Sequence, residues 1–383
     1  MKLVRFGDLC KLQNGRAFKP EEWSEEGTPI VRIQNLNDET KPFNYCNFDV
    51  EKRFWIDSDD LLFSWSGTPG TSFGAFFWNR GKGFLNQHIF RVDVKEELVD
   101  KHYLRYALNS LIIKIIDQAH GGVGLKHITK AKLEEVQIPL PPLEQQRRIA
   151  SILDQADKLR QKRQQAIEKL DQLLQATFIE MFGDPVSNPK GWDVGCIGDM
   201  LESVKYGSSD KATLDGEIPI LRMNNLTYSG EMDLRDLKYI TKAQADEKYL
   251  VKEGDILFNR TNSKELVGKT AVYVGPEPMA YAGYLVRGRT KGSFAPEYIS
   301  AFLNSPWGKE KLQSMCKSIV GMANINAKEF QSIVLPIPPE NEQMYFKTRV
   351  LAIREKKQLL VNQLNVFETL FKSLQNQAFS GTL

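Results

Sequence analysis

The chain has 383 residues, more than one compact core usually takes, so two or three units are expected. Its 42% hydrophobic and 26% charged residues are ordinary globular chemistry, which excludes a wholly disordered chain, a collagen and a disulfide-knotted toxin. The net charge of +3 neither demands nor forbids a nucleic-acid partner, so any basic groups for DNA must be clustered rather than global. Cys10, Cys46, Cys196 and Cys316 lie far apart with no C-x-x-C pair. They read as reduced thiols of a cytosolic protein, not as a zinc ribbon or redox motif. The N-terminus has no apolar signal-like run, and residues 111–116, broken by Lys114, are too short to span a bilayer.

In chain order, an opening Phe6-Gly-Asp-Leu9 precedes short β-like runs at 30–33, 61–63 and 89–92, separated by turns such as Ser66-Gly-Thr-Pro-Gly70. A helix is expected over 103–119, and Pro139, Pro141 and Pro142 stop the globular part. A long helix follows, with apolar residues Ile149, Ile152, Ala156, Leu159, Ala166, Leu170, Leu173 and Thr177 at coiled-coil spacing. Arg163 interrupts that seam. At 182–192 Gly183 ends the helix, and Pro185 and Pro189 prevent its continuation, giving a linker that reverses the chain. The same plan then returns: β-like runs at 218–223, 256–258 and 271–274, a helix over 298–316, and a stop at Pro336, Pro338 and Pro339. A second long helix carries Phe346, Val350, Ile353, Leu360, Leu364, Phe367, Phe371, Leu374 and Ala378, interrupted by Lys357. About 35 residues at 1.5 Å each make a rod of about 50 Å. A charge within either seam is costly unless it pairs or snorkels, and it can set register.

The chain is written twice. Pro29-Ile-Val-Arg-Ile-Gln-Asn-Leu-Asn37 recurs as Pro219-Ile-Leu-Arg-Met-Asn-Asn-Leu-Thr227, and Asp60-Leu-Leu-Phe-Ser64 as Asp255-Ile-Leu-Phe-Asn259. His102-Tyr-Leu-Arg-Tyr-Ala-Leu-Asn-Ser110 recurs as Glu297-Tyr-Ile-Ser-Ala-Phe-Leu-Asn-Ser305, and Ile138-Pro-Leu-Pro-Pro142 as Leu335-Pro-Ile-Pro-Pro339. With Phe6-Gly-Asp-Leu9 matching Ile197-Gly-Asp-Met200, five matches in one order mean duplication.

Catalytic signatures are broken or missing. Ser263-Lys-Glu-Leu-Val-Gly268-Lys269-Thr270 resembles a phosphate loop but lacks the first glycine, and reads as a loop entering a strand. Gly121-Gly-Val-Gly124 lacks dinucleotide spacing, and no G-x-S-x-G occurs. His88, His102, His120 and His127 all lie in the first copy, which argues against a shared catalytic or metal role. No adenine-methyltransferase motif is found, so neither catalytic nor metal-binding residues are expected.

Recognition chemistry is what remains. In the first copy the candidates for DNA contact are Arg16, Gln34, Asn35, Trp65, Thr68, Asn86, Gln87, His88 and Lys126. In the second they are Tyr206, Ser208, Arg222, Asn224, Arg260, Thr261, Asn262, Tyr284 and Asn324. Arg reads guanine, and Asn or Gln reads adenine, by paired hydrogen bonds in the major groove. For any one residue, turn chemistry or a strand-end cap explains it as well. The set carries the argument: polar loops differ between copies while the apolar scaffold is kept, which suggests two sites reading different things.

The order of motifs resembles the specificity (S) subunits of type I restriction-modification systems, the HsdS family. Carrying that resemblance are Gly7-Asp8, Gly198-Asp199, Gly254-Asp-Ile-Leu-Phe258, Leu85-Asn-Gln-His-Ile89, the helix entry Pro139-Leu-Pro-Pro-Leu-Glu-Gln-Gln146, Phe182-Gly-Asp-Pro185 and Phe379-Ser-Gly381. Two departures stand out. Asn341-Glu-Gln343 sits one residue out of step with Glu144-Gln145, and Ala282-Gly-Tyr-Leu285 lacks the Leu85-Asn-Gln-His pattern.

The resemblance implies an α+β fold with two similar mixed α/β target recognition domains, 1–142 and 193–339, in a pseudo-two-fold duplication. The linker 182–192 and two long helices, 143–181 and 340–383, forming an antiparallel coiled coil, complete it. It also implies a non-catalytic DNA-recognition subunit in the prokaryotic cytoplasm, each domain reading half of a bipartite, asymmetric double-stranded target. The helices would set the spacer and, through residues such as Leu170 and Leu364, dock two methylation subunits. This chain would hold no cofactor; S-adenosylmethionine would belong to the methylation subunits, and ATP and Mg to restriction subunits. Composition leaves open a second reading, a coiled-coil adaptor with two peptide- or protein-binding modules and no DNA role.

Overall fold

The structure, a computed structural model, describes residues 1–67, 73–117, 126–319 and 322–383. It divides into two units, Met1–Arg163 with Gln363–Leu383, and Gln164–Asn362. Each unit joins one mixed α/β body to part of both long helices, Leu143–Phe182 and Glu340–Ser380.

The two bodies are built alike. In the first, an antiparallel sheet runs Cys10–Asn14, Ile89–Val94, Leu61–Ser64, Gly74–Phe77. In the second, the order is Leu201–Tyr206, Leu285–Thr290, Ile256–Asn259, Thr270–Val272. Each body carries a second four-stranded sheet with one parallel pairing, Thr28–Val31 with Gly83–Leu85 and Ile218–Leu221 with Met279–Tyr281. Strands buried on both faces read as continuous apolar runs, which is why Leu61, Leu62 and Phe63, and Ile256, Leu257 and Phe258, are all at most 2% exposed.

Several expected elements differ in detail. The runs expected at 30–33 and 218–223 stop early. Ile33 starts the helix Ile33–Asn37, and Met223 starts the 3-10 turn Met223–Asn225, because Asn35 and Asn225 turn their side chains back onto the amides of Arg32 and Arg222. The helix expected over 298–316 is two helices, Pro296–Asn304 and Pro306–Met315, since Pro306 cannot continue the first. The one expected over 103–119 is likewise Lys101–Ser110 and Ile112–Asp117, and Ala119 lies outside the described residues.

A buried glutamine ties each long helix to its body. Gln146 accepts from the Asp100 amide at 2.8 Å and donates to the Pro141 carbonyl at 2.9 Å. Gln343 accepts from Ala295 at 3.2 Å and donates to Pro338 at 2.8 Å. Gln343 therefore answers to Gln146, not Gln145, and the apparent one-residue displacement in sequence disappears. Tyr103 and Tyr298 add matching hydroxyl bonds to the Pro139 and Pro336 carbonyls.

Within each unit the helix segments run antiparallel. In the first, Arg160 stacks on Phe371 and Arg163 on Phe367, while Ile149, Ala150 and Leu153 pack with Ala378. In the second, Asp171 meets Lys357 and Phe178 meets Phe346. The sequence ladder is shifted in places: Leu153 rather than Ile152 is buried, and Leu159 and Leu173 are each 48% exposed. Those segments bury one edge on the body as well as one on the partner helix, which rotates the buried face. Both seam charges find partners: Arg163 lies over Phe367, and Lys357 bridges Asp171 and Glu231. Burial alone would pull the Lys357 ammonium down; its two carboxylate hydrogen bonds outweigh that and hold it above its ordinary value. Gly183 and Gly381, both in the left-handed region, terminate the two helices. No helix among the described residues is long and apolar enough to cross a membrane.

Candidate nucleic-acid interface

Both bodies build the same backbone frame from the same hydrogen bonds. In the first, the Gly15 and Arg16 amides donate to the Ile89 and Leu85 carbonyls. In the second, Gly207 and Ser208 donate to Leu285 and Tyr281. The glycines are required by close approach: a Cβ on Gly15 would lie 2.1 Å from the Asn86 oxygen, and one on Gly207 2.3 Å from the Tyr281 oxygen. The Trp65 amide donates to His88 and its carbonyl accepts from Ile128; Arg260 does the same with Tyr284 and Ile325. A short ribbon pairs Ser66–Gly67 with Lys126–His127, and Thr261–Asn262 with Met322–Asn324.

This frame superposes the two candidate sets slot by slot. Arg16 stands where Ser208 does, Trp65 where Arg260 does, and Gly67 where Asn262 does. Asn86, Gln87 and His88 answer to Ala282, Gly283 and Tyr284, so the second sequence departure keeps the backbone and exchanges side chains. Asn324 answers to His127.

In the first body Trp65 stacks on Phe90, centroids 5.6 Å apart, and lies 5.5 Å from the His88 ring. The Trp65 indole nitrogen, Gln87 Oε1 and His88 Nδ1 are buried without a hydrogen-bond partner among the described residues. Burial first, and Arg32 second, hold His88 below its ordinary value, so its ring is neutral near pH 7. Arg16 pairs with Glu22 and lies over the Phe18 and Phe48 rings. Asn86 is 8% exposed. Lys126 supplies a backbone partner to Gly67; its side chain, like Thr68, His120 and residues 121–124, lies outside the described residues.

In the second body Arg260 lies over the Tyr206 ring at 5.1 Å. Its guanidinium makes only long contacts, 3.5 Å to the Gly283 carbonyl and 3.4 Å to Asn324 Oδ1, and its Nε has no partner among the described residues. Asn324 also donates to the Thr261 hydroxyl at 2.9 Å. The Tyr206 hydroxyl accepts from the Ala327 amide at 3.0 Å, and Tyr284 is 52% exposed. Asn262 turns onto the Ser263 amide, and buried Ser208 bonds Asp210.

The remaining candidates sit in a matching turn of each body and bond within it. Asn35 is 1% exposed, and its amide donates to the Lys41 and Pro42 carbonyls; this side chain builds the loop and offers nothing outward. Gln34 reaches Pro42 at 3.3 Å, and Arg222 and Asn224 share Asp236 at 2.9 and 2.8 Å. The phosphate-loop-like segment is a turn leading into Thr270–Val272, and its Lys269 is buried with its ammonium on the Met223 carbonyl. Among the described residues no three His, Cys, Asp or Glu are grouped to hold a metal. The residue that sequence reasoning passed over is His127, read as a bland histidine; Asn259, in the same polar run as Arg260, has a buried Nδ2 with no partner among the described residues. Aligning the copies on the frame rather than on residue type brings out His127, which stands where Asn324 does.

The model of the type I restriction modification DNA specificity domain matches residues 1–169 and again 189–345. The chain belongs to that family. It is 23% identical to the EcoBI specificity subunit of Escherichia coli over 99% of this chain and 85% of that protein. It is also 23% identical to the MjaVIII specificity subunit of Methanocaldococcus jannaschii, over 100% of this chain and 92% of that one. The fold is shared with a crystal structure of a type I system S subunit from M. genitalium, with a TM-score of 0.63 at 15% identity, covering 99% of this chain and 96% of that one. This specificity-family chain thus carries its family domain twice, each copy holding the backbone frame described above.

Proposed function

We propose that this chain is the sequence-recognition subunit of a type I restriction-modification complex, with each body reading one half of a bipartite, asymmetric DNA target. The observation that carries the reading is the exchange of Trp65 for Arg260, and of Asn86-Gln-His88 for Ala282-Gly-Tyr284, on one unchanged backbone frame. A duplicated scaffold that keeps its frame and changes its outward chemistry suits two half-sites of different sequence. Arg260, Asn262, Tyr284 and Asn324 in one body, and Arg16, Trp65, Thr68, Asn86, Gln87, His88 and Lys126 in the other, are the contacts proposed. Tyr206, Ser208 and Thr261 position them. Gln34, Asn35, Arg222 and Asn224 hold the neighbouring turn.

The long helices set the spacer and dock two methylation subunits. Exposed apolar residues support the docking role: Leu159, Val366 and Leu370 in the first unit, and Leu173, Leu351 and Leu359 in the second. Seam residues Leu170 and Leu364 serve the helix packing behind them. The chain itself performs no catalysis and holds no cofactor. Methylation subunits supply S-adenosylmethionine chemistry at adenine N6, and restriction subunits, where present, supply ATP- and Mg-dependent cleavage, all in the prokaryotic cytoplasm.

The test is to co-express the chain with the methylation subunit of its own system in a methylation-free host and map N6-methyladenine across the genome. A split motif methylated on opposite strands in its two halves is the expected result. An assembled complex that leaves no methylated motif would favour the adaptor reading.

A further inference from the structure

A cavity of about 410 Å³ lies in the second unit, between the helix Pro296–Asn304 and the unit's long-helix segments. Its walls include Phe178, Tyr228, Trp307 and Val350. Two charged groups that line it each leave one buried polar atom without a hydrogen bond. Glu297 is 3% exposed and its Oε2 has no hydrogen bond among the described residues; the buried Nη1 of Arg354 has none among them either. No ion pair within 4.0 Å joins them among the described residues.

The duplication shows what a filled version of this place looks like. By the repeat, Ser300 and Ala301 stand where the first body has Arg105 and Tyr106, and Arg354, counted from Gln343 as from Gln146, stands where it has Asp157. In the first unit Arg105 reaches Asp154 at 3.2 Å and Asp157 at 3.8 Å, and the Tyr106 hydroxyl donates to Asp154 at 2.8 Å. Two large side chains occupy the space and the charges are paired. In the second unit both large side chains have become small, and the acid at the third position has become a base. A cavity stands where those side chains were and two buried polar atoms are left over, a combination that costs stability unless something completes it.

The leftover groups define what fits. A cation would meet the Arg354 guanidinium, and an anion the Glu297 carboxylate. A neutral edge with an N–H beside an acceptor satisfies both. The aromatic walls favour a flat ring, and the volume lies in the range of about 300–1,000 Å³ usual for small-molecule sites. We propose that this cavity binds a neutral planar ring bearing an adjacent donor and acceptor, as in an aromatic carboxamide or the edge of an aminopyrimidine, donor to Glu297 and acceptor to Arg354. The site stands apart from the DNA reading and does not depend on it.

The test is ligand-observed NMR titration of the full chain with benzamide, benzoate and benzamidine, three probes of one shape and different charge. Saturable benzamide binding is expected, with the two ions at least about tenfold weaker. Ala301→Tyr, which restores the side chain of the first copy, should abolish it. Ala301→Leu should do the same should the tyrosine variant fail to fold. Cytidine distinguishes the source of the edge: tighter binding than benzamide assigns a nucleobase, weaker binding a carboxamide. No saturable binding by any probe, as when water alone bridges the two groups, overturns the proposal. So does equal binding of all three charge forms, or binding that survives both fillings.

Discussion

Removing the Arg260 side chain separates a recognition role from a structural one. Inside the protein its guanidinium has two contacts at 3.5 and 3.4 Å, at the outer limit of hydrogen bonding, and a ring at 5.1 Å. Such bonds to neutral acceptors, with one cation–π contact, are together worth about 1 kcal/mol or less to the fold. Asn324, the acceptor left behind, keeps its bond to Thr261. A bidentate contact to guanine is worth about 1–3 kcal/mol, a factor of about 5–150 in discrimination at one base pair. Arg260→Ala should therefore leave the melting temperature nearly unchanged while one position in one half of the methylated motif relaxes. Arg260→Lys keeps the charge but loses the fork, so it should relax the same position. Genome-wide methylation mapping reads the motif, and a thermal melt reads the fold. Uniform weakening at every site would make Arg260 a phosphate contact. An unchanged motif with unchanged methylation would remove Arg260 from the interface and refute the frame as the reading surface.

The other expectations concern the scaffold and its charges. Exchanging residues 1–142 for those of a relative should change one half of the methylated motif and leave the other intact, read by the same mapping. Lys357→Met leaves Asp171 and Glu231 facing each other without their cation; urea denaturation should show a loss of about 1–3 kcal/mol, below the full cost of a buried unpaired charge because both acids are partly solvated. Lys309 is buried, and that burial, with Lys269 nearby, lowers its ammonium to about 8 from an ordinary 10.5. Between those values the unfolded chain holds a proton the folded chain has released, so this group makes stability rise with pH, by up to about 1.4 kcal/mol per unit. Lys309→Met should flatten that rise in denaturation curves taken between pH 7.5 and 9.5, and should be more stable than the parent at pH 7.

Sequence made the duplication visible because apolar strands and proline stops tolerate little change. Leu61 to Phe63 and Ile256 to Phe258 must fill the same buried sheet, and Tyr103 and Tyr298 must reach the same carbonyl. Residue type alone could not separate polar groups standing on the frame from turn-building ones. Arg32-Ile-Gln-Asn35 and Arg222-Met-Asn-Asn225 offer the same chemistry on paper as Asn259 to Asn262, yet Asn35 and Asn225 are consumed by main-chain groups a few residues away. Which way an amide turns depends on local φ and ψ, and periodicity carries no record of it. The long-helix ladder failed at Leu159 and Leu173 for a related reason. A seam read as one stripe does not show where a helix leans on a third element.

The correspondence between copies changes what counts as a signal. Trp65 and Arg260 share no chemistry, and neither do Asn86 and Ala282, so a search for similar residues discards these pairs as noise. Their backbones nevertheless make identical hydrogen bonds, and a side chain at Gly15 or Gly207 would collide with that backbone. Dissimilar side chains on a frame this tightly held indicate positions where the scaffold is fixed and the outward group is free to vary. The cavity at Glu297 and Arg354 follows the same logic in the interior. There the first copy shows the closed arrangement, and the second keeps the helices while omitting the side chains that close it. A duplicated chain thus supplies its own reference, and the departures from it, more than the matches, mark where the two halves do different work.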